Sequence, residues 1–230
     1  MNPRDRIPLP AFVRALPPAG FEARLLGIGA RIGAPEMDLL GDYLGLLLAM
    51  NDLLNLTAIV LPDAAWERHI LDALSLLPEL ASIPPGARVA DLGSGGGVPA
   101  LPLALTRRDL DFTLIESTQK KCAFLEDAAS MLGLTNVRVV ALRAETAARG
   151  ELRASFAAVT ARAVAPLERL VPLAAPLCAP GGRMLLIKGQ RADDELHAAK
   201  AALVQTGARH IATRPTPTGR IIVLEKQPSK

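Results

Sequence analysis

Val89-Ala90-Asp91-Leu92-Gly93-Ser94-Gly95-Gly96-Gly97-Val98-Pro99 decides how this chain folds. A short β run, Arg88–Leu92, ends inside it, and a helical stretch, Pro99–Leu105, starts from it. A glycine-rich turn between a strand and a helix is the setting in which a nucleotide is cradled. Glycine permits a tight turn and a close backbone approach to a ligand. A plain turn needs one or two glycines; Gly93–Gly97 holds four in five positions. In an open α/β sheet the ligand lies beyond the carboxyl ends of the strands at such a loop.

Downstream, β runs at Phe112–Glu116, Val137–Ala141, Phe156–Thr160 and Arg183–Ile187 alternate with helical stretches at Lys120–Leu132, Leu167–Leu177 and Ala192–Gln205. That alternation predicts a parallel sheet with helices on both faces. The tail breaks it: Ala208–Arg214 and Arg220–Glu225 read as an antiparallel hairpin, which makes seven strands in all. Upstream, Phe21–Leu80 is Leu-rich and helical. Pro35 suits a first helical turn, and Met37, Leu40, Leu44, Leu47 and Leu48 repeat on one face. A second helix is expected from Asp63 as N-cap to about Leu77, stopped by Pro78. Ile83-Pro84-Pro85-Gly86 divides a helical region, 1–84, from the α/β domain, 85–230.

Composition narrows the function. Ala and Leu, 39 of each, explain a 50% hydrophobic content without a membrane. The longest apolar runs, Tyr43–Met50 and Val98–Leu105, fall far short of the roughly 20 residues a bilayer span needs. Met1–Pro10 lacks the apolar core of a secretory leader, so the cytoplasm is the expected compartment. Two cysteines, Cys122 and Cys178, and three histidines make a metal centre unexpected; both cysteines read as buried small hydrophobes. Charge is uneven: residues 1–86 carry 6 Lys/Arg against 10 Asp/Glu, residues 87–230 carry 20 against 13. Twenty of the 26 basic residues are arginine, which suits a polyanionic partner.

The residues flanking the loop select the ligand. The dinucleotide fingerprint wants a glycine where Val98 stands, and no Gly-Lys-Ser/Thr follows, so an NAD-linked oxidoreductase and a phosphate-loop ATPase are disfavoured. Asp91 would repel a pyrophosphate but suits the ammonium of S-adenosylmethionine, directly or through water. Glu116, 23 residues after Gly93, is placed to accept hydrogen bonds from ribose hydroxyls. Arg143-Ala144-Glu145 follows the third strand, where an adenine would lie. Arg143, Arg162 and Lys188 stand at successive strand ends as a positive rim for phosphates. Read locally, Asn55 and Thr57 are helix-end residues and His69–Asp72 a helix-surface pair.

Together these residues resemble the RsmG family of 16S ribosomal RNA guanine-N7 methyltransferases, also called glucose-inhibited division protein B. The resemblance runs from about Phe21 onward. It rests on Asp91–Pro99, on Glu116-Ser117-Thr118-Gln119-Lys120-Lys121, on Arg143-Ala144-Glu145, Arg162-Ala163 and Lys188-Gly189. More specific are Asn51 with Asn55-Leu56-Thr57, and Arg68-His69-Ile70-Leu71-Asp72. Met50 replaces a usual tryptophan, Ala73 a serine and Ala100 a glycine; the first two bear on the substrate side.

The resemblance implies a class I, Rossmann-like, doubly wound and mostly parallel α/β fold with S-adenosylmethionine as cofactor. Asp91, Gly93, Gly95, Val98, Glu116, Ser117, Ala144, Glu145 and Arg162 would hold it. Asn51, Asn55, Thr57, His69, Arg143 and Lys188 would meet 16S rRNA, free or within the small ribosomal subunit. The protein is expected to act as a monomer. Arg162 is the positioning candidate, and no residue is required as acid or base. Thr160-Ala161-Arg162-Ala163 stands where amino-group methyltransferases carry an Asp/Asn-Pro-Pro-aromatic motif, which agrees with an N7 target. An RNA-binding protein that has merely kept the fold would not need the intact loop and Glu116.

Overall fold

The computed structural model describes residues 6–228. The first five residues of the stretch Met1–Pro10, read above as lacking a leader's apolar core, therefore lie outside the described residues. Seven strands form one sheet: β1 (Arg88–Leu92), β2 (Asp111–Glu116), β3 (Val137–Ala141), β4 (Phe156–Arg162), β5 (Cys178–Lys188), β6 (Ala208–Pro215) and β7 (Arg220–Lys226). Their order is β3-β2-β1-β4-β5-β7-β6. The first five run parallel, β7 runs antiparallel to β5, and β6 closes the hairpin, as the sequence predicts. Strand order reverses between β1 and β4, so the crevice for a ligand opens beyond the carboxyl end of β1.

Period-two side chains split the core between the sheet's two faces. Val89, Ala158, Leu185, Ile187, Ile221 and Val223 join one hydrophobic cluster; Ala90, Val159, Met184, Leu186, Ile222 and Leu224 join the other. On the first face lie α1 (Phe21–Gly27), α2 (Ala34–Leu54), α3 (Pro62–Ala65), a π-helical turn (Trp66–Leu71), α4 (Asp72–Leu74), α5 (Leu77–Leu80), α6 (Ala100–Thr106) and α7 (Gln119–Met131). The second face is covered by α8 (Ala144–Arg149), α9 (Leu167–Ala174), α10 (Ala192–Ala198) and α11 (Lys200–Thr206). The helical region thus shares its core with the sheet. Leu40, Leu44 and Leu47 of α2 are buried with Tyr43, Leu46 and Met50, a wider face than the spacing predicts. Each such side chain contributes about 1.5–3 kcal/mol.

Three helical expectations need correction. The helical run expected from Asp63 to Leu77 spans Pro62–Leu74 and is not α-helical throughout. The chain enters α3 at Pro62 with Leu61 as cap, widens into the π turn and leaves it as α4. Pro78 does not stop a helix; it sits in the first turn of α5, where its missing N–H is not needed. The stretch Ala192–Gln205 is two helices meeting at Ala199, and α8 has no sequence counterpart because six residues carry little periodicity. Met50, Ala73 and Ala100 are fully buried, so these departures from the family pattern alter packing rather than the lining of the cleft. No helix among the described residues is long and apolar enough to cross a membrane.

Candidate active site

The loop after β1 is built by its neighbours as much as by its glycines. Gly93 has φ +71°, and a Cβ there would lie 2.8 Å from Val164 Cγ2. A Cβ on Gly96 would lie 2.7 Å from Leu47 Cδ1 of α2. These two glycines serve the turn and its packing, and both also line the cavity beside the loop. Gly95 differs: its φ is +54° and a Cβ would meet nothing nearer than Gly93 O at 3.8 Å, which leaves open space beside it. Glu116 clamps the loop, its Oε2 accepting from Gly95 N at 3.0 Å and its Oε1 from Thr118 N at 2.8 Å. From the other side the buried Tyr43 hydroxyl donates to Gly96 O at 2.8 Å.

Asp91 lies beneath this loop and is fully buried. Its Oδ1 accepts from Thr160 Oγ1 at 2.7 Å across the β1–β4 register, while Oδ2 is buried with no partner among the described residues. Burial pushes its carboxyl up to about 6. An orphaned buried carboxylate oxygen costs about 1–3 kcal/mol or more, and an ammonium group would satisfy it. That orphan, the open side of Gly95 and the Glu116 carboxylate fit the amino-acid and ribose parts of S-adenosylmethionine.

Three cavities lie along the strand ends, two of them lined by Glu116. One of about 230 Å³ is lined by Gly93–Gly96, Val98, Glu116 and Lys121; another of about 690 Å³ by Glu116, Ser117, Arg143, Ala144, Glu145 and Arg169. Gly93 and Glu116 belong to both, so together they form one groove along the strand ends. The third, about 440 Å³, is lined by Arg68, His69, Asp72, Arg162, Lys188 and Thr218. Thr57, His69 and Arg162 line both this cavity and the smaller part of the groove, and so stand at the junction.

Long-range polar contacts hold that junction. Arg162, the last residue of β4, donates through Nη1 to Arg68 O and through Nη2 to His69 Nδ1, the latter at 2.9 Å. His69 Nε2 lies 2.8 Å from Thr57 Oγ1, and Asn51 Oδ1 accepts from Thr57 N at 2.7 Å. Burial and the Arg162 charge push the His69 imidazole down to about 3, so it is neutral near pH 7. Asp72 turns away from His69 and accepts from the hydroxyl and N–H of Thr218 in the β6–β7 turn; burial raises its carboxyl. The local reading of a helix-surface pair is thus overturned: both side chains are buried.

Several expected roles shift. The Lys188 side chain is only 8% exposed; its Nζ donates to Ala165 O and pairs with Glu195, both at 2.8 Å. Arg162 is bound to His69, and Arg143 lines the groove rather than the third cavity. Of the expected positive rim, Arg162 and Lys188 are therefore engaged within the protein, and Arg143 stands apart along the groove. Asn55 is exposed and in a left-handed conformation that ends α2, and Asn51 holds Thr57, so both shape the loop rather than line a cavity. Sequence reasoning missed Arg68, which is exposed at the third cavity without an ion-pair partner among the described residues. It also missed Thr160 and Tyr43. Only Arg68 had a signal, its place beside His69.

The family described as rRNA small subunit methyltransferase G matches residues 36–220. A protein named ribosomal RNA small subunit methyltransferase G from Sorangium cellulosum is 52% identical over 228 residues, covering 98% of this chain and 95% of its own. One of the same name from Halorhodospira halophila is 40% identical over 83% of this chain and 87% of its own. Among solved structures, a SAM-dependent methyltransferase from Aquifex aeolicus superposes with TM-score 0.55 at 17% identity, over 70% of this chain and 92% of that one. The [4+2]-cyclase SpnF superposes with TM-score 0.56 at 17% identity, over 69% and 81%. A cyclase on the same frame shows that the fold does not fix the chemistry. The full-length similarity does fix kinship: this chain belongs to the rRNA small subunit methyltransferase G family.

Proposed function

We propose that this protein methylates 16S ribosomal RNA, using S-adenosylmethionine and acting on the N7 of a guanine, as a monomer in the cytoplasm. The observation that carries the reading is the junction: a groove with an orphaned buried carboxylate beneath it opens, at Arg162, into a second cavity. When bound, S-adenosylmethionine supplies a sulfonium methyl that the N7 lone pair takes up, the C–S electrons returning to sulfur and the positive charge passing to the purine. No proton leaves N7, so the chain needs no general base there. Among the described residues there, the acceptor nitrogen of His69 is bonded to Arg162, Asp72 accepts from Thr218 and Glu195 pairs with Lys188. What the residues do instead is position. Asp91 anchors the ammonium, Glu116 the ribose, Ala144 and Glu145 border the adenine, and Arg162 fixes the wall between the two cavities. Exposed Arg68 supplies charge for a phosphate.

The test is transfer from methyl-labelled S-adenosylmethionine to naked 16S rRNA and to assembled small subunits, beside calorimetry with S-adenosylmethionine and NAD. Label in one of the RNA substrates and binding of S-adenosylmethionine alone are expected. NAD binding, or no label in either RNA, overturns the proposal.

A further inference from the structure

The Thr57 hydroxyl has a fixed hydrogen-bond role. Arginine donates and never accepts, so His69 Nδ1, 2.9 Å from Arg162 Nη2, is the acceptor of that pair. The neutral imidazole then carries its proton on Nε2 and donates to Thr57 Oγ1 at 2.8 Å. Ile59 N–H donates to the same oxygen at 3.0 Å. A hydroxyl has two acceptor sites, and both are now filled. The O–H proton has no acceptor among the described residues, and Thr57 lines both cavities at the junction. Thr57 is therefore an obligate donor beside the place where the two reactants meet.

We propose that Thr57 is a specificity residue, its hydroxyl donating to O6 of the substrate guanine. The inference rests on the guanine-N7 reading above. On that edge of the purine only two acceptors exist, N7 and O6. N7 must keep its lone pair free for the methyl, so a donor there would block the reaction, and O6 is the acceptor that remains. Adenine presents an amino donor at that position, which would face the Thr57 proton donor to donor. His69 and Arg162 act through Thr57: they set the tautomer that makes the hydroxyl a donor. Asn51, by holding Thr57 N, fixes where it stands.

The experiment pairs Thr57→Val, which removes the hydroxyl at similar size, and Thr57→Ser, which keeps it, with two substrates. One is the small subunit carrying the natural guanine; the other carries 2-aminopurine, which keeps N7 and lacks O6, at the methylated position. Single-turnover rates and calorimetric affinity for S-adenosylmethionine are read together. Wild type is expected to lose about 10- to 100-fold on 2-aminopurine, the range for one unpaired buried hydrogen-bonding group. Thr57→Val should be slower on guanine by a similar factor and lose no more than about twofold further on 2-aminopurine. Thr57→Ser should recover transfer to within about threefold of wild type, with cofactor affinity held within about twofold in both variants. Independent, multiplying losses from the two changes overturn the proposal. So does a collapse of cofactor affinity in Thr57→Val, which would assign the hydroxyl to the cofactor instead. Should Thr57→Val fail to fold, a wild type indifferent to the loss of O6 overturns it without that variant. An N7 product with multiplying losses sinks only the role of Thr57, whereas methylation at another atom sinks the function reading beneath it.

Discussion

The groove and the third cavity are made in different ways. The groove is framed mainly by strand ends and the turns that follow them, with Leu47, Leu56, Thr57 and His69 of the helical region closing its smaller part: Glu116 at the end of β2 reaches Gly95 across 21 positions of sequence. The third cavity comes from side chains of the helical region that meet a strand end far along the chain; His69 and Arg162 are 93 positions apart. The frame of the first is the property of a fold and recurs wherever a β–loop–α crossover does. The second exists only because α2 and the π turn pack onto one face of the sheet. The cofactor half should therefore fail locally when altered, and the substrate half should fail through its supports.

The strongest way to break that division is Arg162→Ala, because Arg162 belongs to both cavities. The change leaves His69 Nδ1 and Arg68 O without their donor. Single-turnover transfer at saturating cofactor and RNA should fall by roughly 10²–10³-fold, the scale of lost positioning. A rate within threefold of wild type would show that the two halves do not meet there.

Asp91→Asn confines the damage to the groove. Loss of the ammonium's counter-charge should weaken S-adenosylmethionine by about 1.5–3 kcal/mol in calorimetry while RNA affinity stays level. Stability should hold or rise. The Asp91 carboxyl sits higher in the folded chain, at about 6, than its ordinary 3.8, so ionising it between those values destabilises the fold, and asparagine removes that loss above pH 6. A lower thermal midpoint for Asp91→Asn would contradict this.

The same carboxyl sharpens the comparison through pH. The proposed ammonium contact requires it ionised, so affinity for S-adenosylmethionine should be level above pH 7 and fall about tenfold per unit once pH drops below about 6. The His69 imidazole, held down near 3, should add no step of its own in this range. Titrations at pH 5, 6, 7 and 8 on wild type and Asp91→Asn would show whether the dependence disappears with the carboxylate.

The smallest effect separates two cations on the substrate side. Arg68→Ala should flatten the salt dependence of RNA binding by about one logarithmic unit. Lys188→Ala should leave that slope alone and instead lower stability, since it strands Glu195 and Ala165 O. The reverse pattern would return Lys188 to the phosphate role that its position at a strand end suggested.

How much could be read from the sequence follows the same division. All seven strands were legible because short β runs set between turns and helical stretches are a local pattern, and so was Glu116, because a strand end is a local position. The partner of Asp91 was not. Thr160 lies 69 residues away across a strand register that no local pattern announces. The helix expected over Asp63–Leu77 ends at Leu74 and carries a π turn that the sequence did not announce, for a related reason. Propensity cannot distinguish an α turn from the π turn that carries Arg68 and His69 to Arg162, a feature common at functional sites. Lys188 misled because a strand-end lysine looks the same in sequence whether it faces water or Glu195.

The position of the transferred methyl tests the central claim most directly. Borohydride followed by aniline cuts an RNA chain at N7-methylguanosine. Small-subunit RNA incubated with wild-type protein and S-adenosylmethionine should gain one new cut at a guanine, strongly diminished when Arg162→Ala replaces the wild type. Methyl label that enters the RNA without creating that cut would place the reaction on another atom and contradict the account.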